Sequence, residues 1–449
     1  VAASLRGYYL RAWRYGSDAE EQVDSALERD RWSPAQWKSW TEERLAFVLH
    51  RAARDVPFYR EQWAARRRRG DRSSPELLEN WPLLDKDEVR NNPRSFLADD
   101  CDPRKMFYEH TSGTTGKSLD LWWSRDTVKA WYALLEARAR RWYGISRHDR
   151  WAIFGGQIVI PVANRKPPFW VWNSALNQLY MSSYHLAPDL IPHYLDALER
   201  YQVRYLLGYP SSLCALATSA LEQHRTDLKM AVAVTNAEPV FDRQRDAISQ
   251  AFGCPVRETY GMVEAVAAGS ECEHGGLHLW PEAGVVEVIG ENGQPRGDGS
   301  GELICTGLLN ADMPLIRYRV GDRGTVPQDM SKCDCGRSLP LIDEIVGRVA
   351  DVLYTADGRE IGAIDTSFPA HLPVREAQII QEHLGSVKVR YVPTPDYTDS
   401  AGQSLVDEIR ARMGPIEVAL ERVSELPRGP NGKLHAVVCS IKKPQAYGN

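Results

Sequence analysis

Thr111-Ser112-Gly113-Thr114-Thr115-Gly116-Lys117 is the stretch of this chain best suited to holding phosphate. Its two glycines reach backbone angles closed to other residues. Three threonines, a serine and a lysine surround them, and the N–H groups of such a loop cradle a polyphosphate. A P-loop would read G-x-x-x-x-G-K-[ST]. The frame from Thr111 to Ser118 meets it except at Thr111, where the first glycine belongs. A helix would also have to follow at once. Instead Leu119, Leu121 and Trp123 alternate with Ser118, Asp120 and Trp122, the period of a half-buried strand. The loop is therefore expected to join two strands.

A second set of chemically capable residues is Cys272-Glu-His274-Gly-Gly-Leu-His278 together with Cys333-Asp-Cys335. They offer a Cys₃His set of the closed tetrahedral kind that holds structural zinc; reduced thiols and surface histidines are the alternative. C-x-C is tighter than the familiar C-x₂-C. His278 is preferred to His274 because it flanks the strand-like Leu279-Trp280. A zinc here would staple the loop after Glu264 to a later segment and would not be catalytic.

The elements that must position these groups follow from periodicity. Residues 1–75 read as a helical leader, with Trp37, Trp40, Leu45, Val48 and Leu49 near helical spacing and Pro57 ending that segment. Ser124 caps a helix that stops near Gly144. Strands at 151–154, 205–207, 230–235 and 256–260 alternate with helices at 190–201, from Leu213, and at 240–252, the pattern of a largely parallel sheet covered by helices. From about 280 to 347 the texture turns to strands and turns. The piece from 348 to 449 is long enough for a small domain, with strands at 352–354 and 387–392 and helices near Pro373 and Leu405. The expected fold is thus α/β, with a boundary between 1–347 and 348–449.

Composition narrows the function. The chain has 449 residues, 43% of them hydrophobic, and a net charge of −5, so it can bury a large core and lacks the basic face of a nucleic-acid binder. The run Arg66-Arg67-Arg68-Arg69 reads as a solvated helix end before Gly70-Asp71. No apolar stretch reaches the roughly 18 residues of a membrane span, and the expectation is a soluble, cytoplasmic protein with no membrane or nucleic-acid partner. Eight cysteines are too sparse for a disulfide framework. The homodimer is left open.

The phosphate loop is followed by Glu258-Thr259-Tyr260-Gly261-Met262-Val263-Glu264, then Tyr318-Arg319-Val320-Gly321-Asp322, Gly347-Arg348-Val349-Ala350-Asp351 and Pro427-Arg428-Gly429-Pro430-Asn431-Gly432-Lys433. In this order and spacing the five segments resemble the adenylate-forming superfamily of acyl-CoA synthetases, peptide-synthetase adenylation domains and luciferases. The opening helices, Leu207-Gly-Tyr-Pro-Ser-Ser212, Asn236-Ala-Glu-Pro239 and the Cys333 cluster resemble its phenylacetate-CoA ligase branch, in which similar cysteine clusters look structural.

The resemblance implies a large N-terminal adenylate-forming domain of mixed, mostly parallel sheets with a β-rich subdomain, and a small mobile α+β C-terminal domain. It implies ATP, Mg²⁺ and CoA as cofactors and a carboxylic acid as substrate. Lys117 and the rest of the loop (Thr111, Ser112, Gly113, Thr114, Thr115, Gly116) would face the β- and γ-phosphates, and Glu264 would hold Mg²⁺. Ala237, Glu238 and Pro239 would border the adenine and Tyr260, within Glu258-Thr259-Tyr260-Gly261, would stack on it. Asp322 and Arg348 would bind the ribose, Lys433 the α-phosphate, and Asp351 would be the hinge. Phe154, Tyr180, Tyr184, His185 and Tyr209 would flank the acid, with an aromatic acid preferred. Trp122, Trp123, Trp170 and Trp172 read equally as core.

The positions suit such chemistry, because a carboxylate attacking the α-phosphate joins two anions and needs positive charge and donors around them. Val263 departs from the family, where threonine commonly precedes the Mg²⁺ glutamate and contacts the α-phosphate. That departure keeps open an adenylating enzyme with another acceptor or oxyanion (an amine, a carrier protein, an inorganic oxyanion). A non-catalytic nucleotide-binding relative is the third reading.

Overall fold

The structure is a computed structural model that describes residues 2–111, 119–155, 159–161, 164–186, 189–290, 295–296, 299–326, 333–348, 353–354, 360–361, 373–427, 434–435 and 437–441. The chain opens on four helices, α1 (Ala2–Arg14), α2 (Ala19–Arg29), α3 (Pro34–Asp55) and α4 (Pro57–Arg68). Ser33 starts α3 through a capping box. Its hydroxyl accepts the Gln36 N–H at 3.4 Å, the Gln36 side chain accepts the Ser33 N–H at 2.9 Å, and Pro34 occupies the first turn. The arginine run closes α4, where Arg66 is tied to Asp71 at 2.6 Å. The leader is locked to the rest by Arg138, which is fully buried and donates to Asp30 at 2.8 Å and to Glu282 at 2.7 Å. Removing either carboxylate would strand a buried charge.

After α5 (Lys86–Asn91) come β1 (Phe107–His110) and β2 (Asp120–Trp123), an antiparallel pair in the register Phe107 to Trp123. The phosphate loop thus joins two strands, as the alternation predicts, and a strand–loop–helix P-loop is ruled out. Ser124 then caps α6 (Arg125–Arg138), its hydroxyl accepting the Thr127 N–H at 3.3 Å.

The main sheet draws on β3 (Trp151–Gly155), β4 (Trp170–Asn173), β5 (Gln178–Ser182), α7 (Ile191–Arg200), β6 (Tyr205–Gly208), α8 (Pro210–Glu222), β7 (Ala233–Asn236), α9 (Asp242–Phe252), β8 (Val256–Gly261), β9 (Ala268–Glu271) and β10 (Leu277–Leu279). Next follow β11 (Gly284–Ile289), β12 (Pro295–Arg296), β13 (Gly299–Gly307) and β14 (Tyr318–Val326), then β15 (Leu341–Ile342) and β16 (Glu344–Arg348). The nine-stranded sheet has the order β15-β10-β9-β8-β7-β6-β3-β5-β4. Its middle, from β8 to β5, is parallel. Helices α7, α8 and α9 cover one face and bury Phe154, Leu206, Leu213 and Phe252. Strands β11 to β14 and β16 form a second, five-stranded antiparallel sheet.

The small run Ala265-Val266-Ala267-Ala268-Gly269 is explained by where it runs. Ala265 to Ala268 are each at most 2% exposed. The segment passes so close to the second sheet that a Cβ on Gly284 would lie 1.9 Å from the Val266 carbonyl. Larger side chains would not fit between the layers.

The chain ends with β17 (Leu353–Tyr354), β18 (Glu360–Ile361), β19 (Val374–His383), β20 (Ser386–Pro393), α10 (Asp399–Met413), β21 (Glu417–Arg422) and β22 (Val437–Cys439). Four of these strands form a sheet of order β21-β20-β19-β22. It has its own core of Ile379, Val389, Leu405 and Ile409. The helix expected near Pro373 is a strand. Val374 to His383 contains good helix formers, but β19 is central, pairs on both sides and buries Ala377 and Ile379, and that tertiary pairing overrides propensity. The whole is a mixed α/β fold with large sheets, a β-rich region and an α+β C-terminal part.

Candidate nucleotide site and metal centre

In a parallel sheet, ligands are held beyond the C-terminal ends of the strands. Strands β7 and β8 pair in the register Asn236 to Thr259, which places Ala237 and Tyr260 next to one another at that edge. Ala237 stands at φ +64° and Ala265 at φ +52°, left-handed angles that a non-glycine adopts at a cost of about 1–3 kcal/mol. Such strain marks a backbone fixed for a purpose. Asn236 Oδ1 and Ser211 Oγ are buried with no partner among the described residues, unmet polar groups suited to a ligand or water at this edge.

Among the described residues, Tyr260, Asp322 and Glu264 come together near the same edge. Tyr260 donates its hydroxyl to Asp322 Oδ2 at 2.9 Å, across 62 positions of sequence. Burial and the Asp322 charge hold that phenol well above its ordinary range, so it stays a donor. Asp322 on β14 lies opposite Arg348 on β16. The pair assigned to one ribose thus shares one rung; the Arg348 side chain is outside the described residues.

Glu264 follows β8 in a turn closed by the Ala265 N–H on the Met262 carbonyl at 3.0 Å. Its side chain is 8% exposed, and Oε1 meets Lys86 Nζ at 3.2 Å and the Tyr318 hydroxyl at 3.2 Å. Oε2 takes no partner among the described residues, so a hard cation such as Mg²⁺ fits the oxygen that remains. Lys86 carried no signal in the sequence, and Tyr318 was read only as the start of a motif segment. Lys86 reads as the first residue of a capped helix, and only the bridge from Leu84 to Tyr318 brings it to the site.

Glu238 does more than border a pocket. Its Oε2 accepts the Ser211 N–H in the first turn of α8 at 3.1 Å, and Oε1 accepts the N–H of Leu434, from the C-terminal part, also at 3.1 Å. The helix terminus favours a carboxylate there. The next residue is tied back to β19, with the His435 carbonyl accepting from Gln378 Nε2 at 2.8 Å.

Other expected positions fall elsewhere. Thr111 is at the neck of the hairpin. Its N–H reaches the Leu119 carbonyl at 3.1 Å and its hydroxyl accepts the Leu119 N–H at 2.9 Å, so the side chain closes the loop. Ser112, Gly113, Thr114, Thr115, Gly116 and Lys117 lie outside the described residues, as do Asp351 and Lys433. Phe154 packs into the core. It is 1% exposed and packs on Tyr194 at 6.0 Å within the helix-side core, because alternation along β3 turns it toward α7. His185 is bound to Ser182 Oγ at 2.9 Å and stacked on Phe169 at 5.0 Å. Trp122 and Trp123 are core, and Trp170 and Trp172 pack on Tyr194 and Tyr201. Tyr209 caps α8 by its backbone and is 8% exposed; the Tyr184 side chain is outside the described residues.

Thr259 donates its hydroxyl to the Thr235 carbonyl at 2.7 Å, pinning β8 to β7. Glu258 is part-buried beside Glu271, and burial pushes its carboxyl up to about 7. Glu271 itself is held by Arg245 at 3.0 Å and Arg257 at 3.3 Å.

Cys272, His278, Cys333 and Cys335 come together with ligand atoms within 4.8 Å of one another. The Cys272 and Cys333 sulfurs are 3.4 Å apart and Cys335 Sγ is 3.3 Å from His278 Nε2. Tetrahedral zinc with bonds of about 2.3 Å sets sulfurs roughly 3.8 Å apart, so small shifts would seat the ion. The Leu339 carbonyl at 3.2 Å accepts from Nδ1–H of His278 and leaves Nε2 as the ligand atom. Burial also lowers the His278 pKa, which keeps the ring neutral. His274 is not part of the set. The donors fit a closed structural zinc site that joins the β9–β10 turn to the segment before β15.

Comparison with known proteins adds the wider context. The CapK C-terminal domain family matches residues 353–440. The chain is 26% identical to Protein CapK of Staphylococcus aureus over 448 residues, covering 98% of this chain and 97% of that one. It is 26% identical to a phenylacetate-coenzyme A ligase of Pseudomonas putida over 333 residues, 69% of this chain and 70% of that one. Among solved structures, 2-hydroxyisobutyryl-CoA ligase in its postadenylation state matches with a TM-score of 0.67 at 18% identity, covering 92% of this chain and 91% of that one. The same protein in its thioesterification state matches less well, at 0.55. No helix among the described residues is long and apolar enough to cross a membrane. The chain is thus similar to Protein CapK over nearly its whole length and to phenylacetate-coenzyme A ligases over about two thirds of it, and it shares the fold of an acyl-CoA ligase of the adenylate-forming kind.

Proposed function

We propose that the protein is an ATP-dependent acid–thiol ligase: a carboxylic acid attacks the α-phosphate of ATP, pyrophosphate leaves, and the thiol of CoA then displaces AMP from the acyl adenylate. The carrying observation is that Leu434, the neighbour of Lys433, docks on Glu238 at the same edge where Tyr260, Asp322 and Glu264 meet. In this reading Lys433, next in sequence to Leu434, acts as a point charge that offsets the charge growing at the α-phosphate. Tyr260 and Asp322 orient the nucleoside, and Lys86 adds a cation beside Glu264. Mg²⁺ held by Glu264 would offset charge on the phosphates. Zinc on the Cys₃His set would serve the fold alone.

The reading includes two lobes, 1–347 and 348–449, with a hinge at Asp351 that swings the second lobe between half-reactions. Better agreement with the postadenylation form than with the thioesterification form supports a lobe orientation like that of the adenylate-bound state before the thiol step. An aromatic acid is the preferred substrate, on the ground of the phenylacetate-CoA ligases among the relatives. A second reading keeps adenylation and changes the acceptor. The match to CapK runs through the C-terminal lobe, whereas the Pseudomonas putida ligase aligns with only 69% of the chain.

The test is pyrophosphate release across a panel of aromatic acids, with and without CoA. Acid-dependent release followed by CoA-dependent thioester is the expected result. Acid-dependent release with no thioester moves the assignment to another acceptor, and no release with any acid overturns it.

A further inference from the structure

The N-terminal ends of β3 and β5, opposite the nucleotide edge, carry a second feature that adenylation does not use. A cavity of about 40 Å³ opens between α1, the end of α6 and the base of the sheet. Arg11, Arg14, Arg140, Arg147 and His148 line it, with Asn177 at its floor and no carboxylate in its wall. By volume it holds a few waters or one tetrahedral oxyanion, since a water needs about 10–15 Å³ by this measure.

Two of the donors around it are not spent. Arg14 Nε and Arg147 Nη1 are buried with no acceptor among the described residues. Arg147 Nη1 is 4.0 Å from Glu136, beyond hydrogen-bond reach. Arg140, 7% exposed, gives Nε to the Tyr205 hydroxyl at 2.9 Å and Nη1 to Glu136 at 3.3 Å, and lies over the Trp151 ring at 5.2 Å. Arg14 lies over Tyr132 at 4.2 Å. Behind the wall, Arg140, Arg141 and Arg147 share two carboxylates, Glu136 and Glu20. Glu109 feels the Arg14 charge without forming an ion pair to it. Arg11 and Arg14 therefore leave the cavity positive. Buried guanidinium N–H groups without acceptors are costly unless an anion or ordered water meets them.

We propose that this cavity is an anion site for a phosphate-type oxyanion, separate from the nucleotide site. Arg14 and Arg147 bring unmet donors from two elements beside the braced Arg140 guanidinium, which suits a multidentate oxyanion better than a halide. Aromatic stacking and the Tyr205 and Glu136 bonds hold the donors in place before any ligand arrives.

The test uses the full chain, without nucleotide, and inorganic phosphate as probe, with ionic strength held constant by chloride. A saturable rise in the melting midpoint is expected in the parent and in Lys117→Ala, which removes the nucleotide-side phosphate loop lysine. The concentration giving half the rise should increase at least tenfold in Arg14→Gln. Arg11→Gln, exposed at the rim and unable to disturb the core, should shift it in the same direction by less. Phosphate titration followed by calorimetry should give one site that Arg14→Gln removes. An effect no larger than that of chloride, or the same half-point in parent and both arginine variants, would overturn the proposal. Loss of the effect in Lys117→Ala alone would assign it to the nucleotide site and overturn it equally.

Discussion

The Glu238 carboxylate accepts the Leu434 N–H at 3.1 Å across 196 positions of sequence, while its other oxygen caps the first turn of α8. One side chain thereby fixes a strand-end loop, a helix terminus and the turn that follows Lys433. A hydrogen bond to a charged acceptor is worth about 1.5–3 kcal/mol, so its loss should cost roughly tenfold to a hundredfold in the step that needs this arrangement. Glu238→Gln keeps the size and one acceptor but cannot accept both N–H groups. Acid-dependent pyrophosphate exchange should fall by that factor, while thioester formation from supplied acyl adenylate should hold within about twofold. Equal losses in both would reduce Glu238 to a structural helix cap.

Lys433 should show the same division more steeply. The proposed role is a point charge at the α-phosphate, and removing one such stabilising group typically costs about 10²–10³ in rate. Lys433→Ala should lose adenylation on that scale and retain most of the transfer from acyl adenylate to the thiol. Single-turnover measurements of each half-reaction check this. A matching loss in the second step would contradict a lobe that leaves the site between steps.

For the Cys₃His set the readout is the metal itself. Elemental analysis of protein purified without added metal should give about one zinc per chain. Cobalt substitution should produce the sulfur-to-metal charge-transfer band of a thiolate site. Cys335→Ser should abolish that band and lower the melting midpoint, because the metal joins the β9–β10 turn to a segment about 60 residues later. Pyrophosphate release at low temperature should be nearly unchanged, as expected of a site with no open coordination position.

What the sequence disclosed depended on whether a residue announces its partner. Asp322 and Arg348 were readable because each sits in a recognisable segment, and the structure places them on one rung. The Cys₃His cluster was readable too, including the choice of His278, because cysteine is scarce and its spacing is informative. Lys86 was not. An ordinary lysine at a helix start says nothing of a glutamate 178 positions later, and only the Leu84 to Tyr318 bridge joins them. Phe154 was ambiguous because an aromatic residue in a site-flanking strand has equal standing as core, and β-strand alternation decides that it packs with the helix-side core. The segment after Pro373 was misread because its local propensity is helical while its two neighbouring strands exist only in three dimensions. The run Ala265 to Gly269 made sense only once the second sheet was seen pressing on it.

Glu258 supplies a prediction with a defined sign. Burial beside Glu271 raises its carboxyl from 4.5 to about 7, and it takes no hydrogen bond among the described residues. The folded chain then binds a proton more tightly than the unfolded chain between those values, so the unfolded state holds fewer protons and stability falls as pH rises. The neutral form is fully present below about 4.5, and the contribution is lost by the time pH has passed about 7. A difference of that size corresponds to about 3 kcal/mol, an upper figure because water reaches part of the side chain. Glu258→Gln mimics the protonated acid. Its denaturation midpoint should match the parent near pH 5 and exceed it above pH 7.5, with the gap opening between. A gap that is constant with pH would mean that Glu258 ionises normally and that its neighbourhood is wetter than its burial implies.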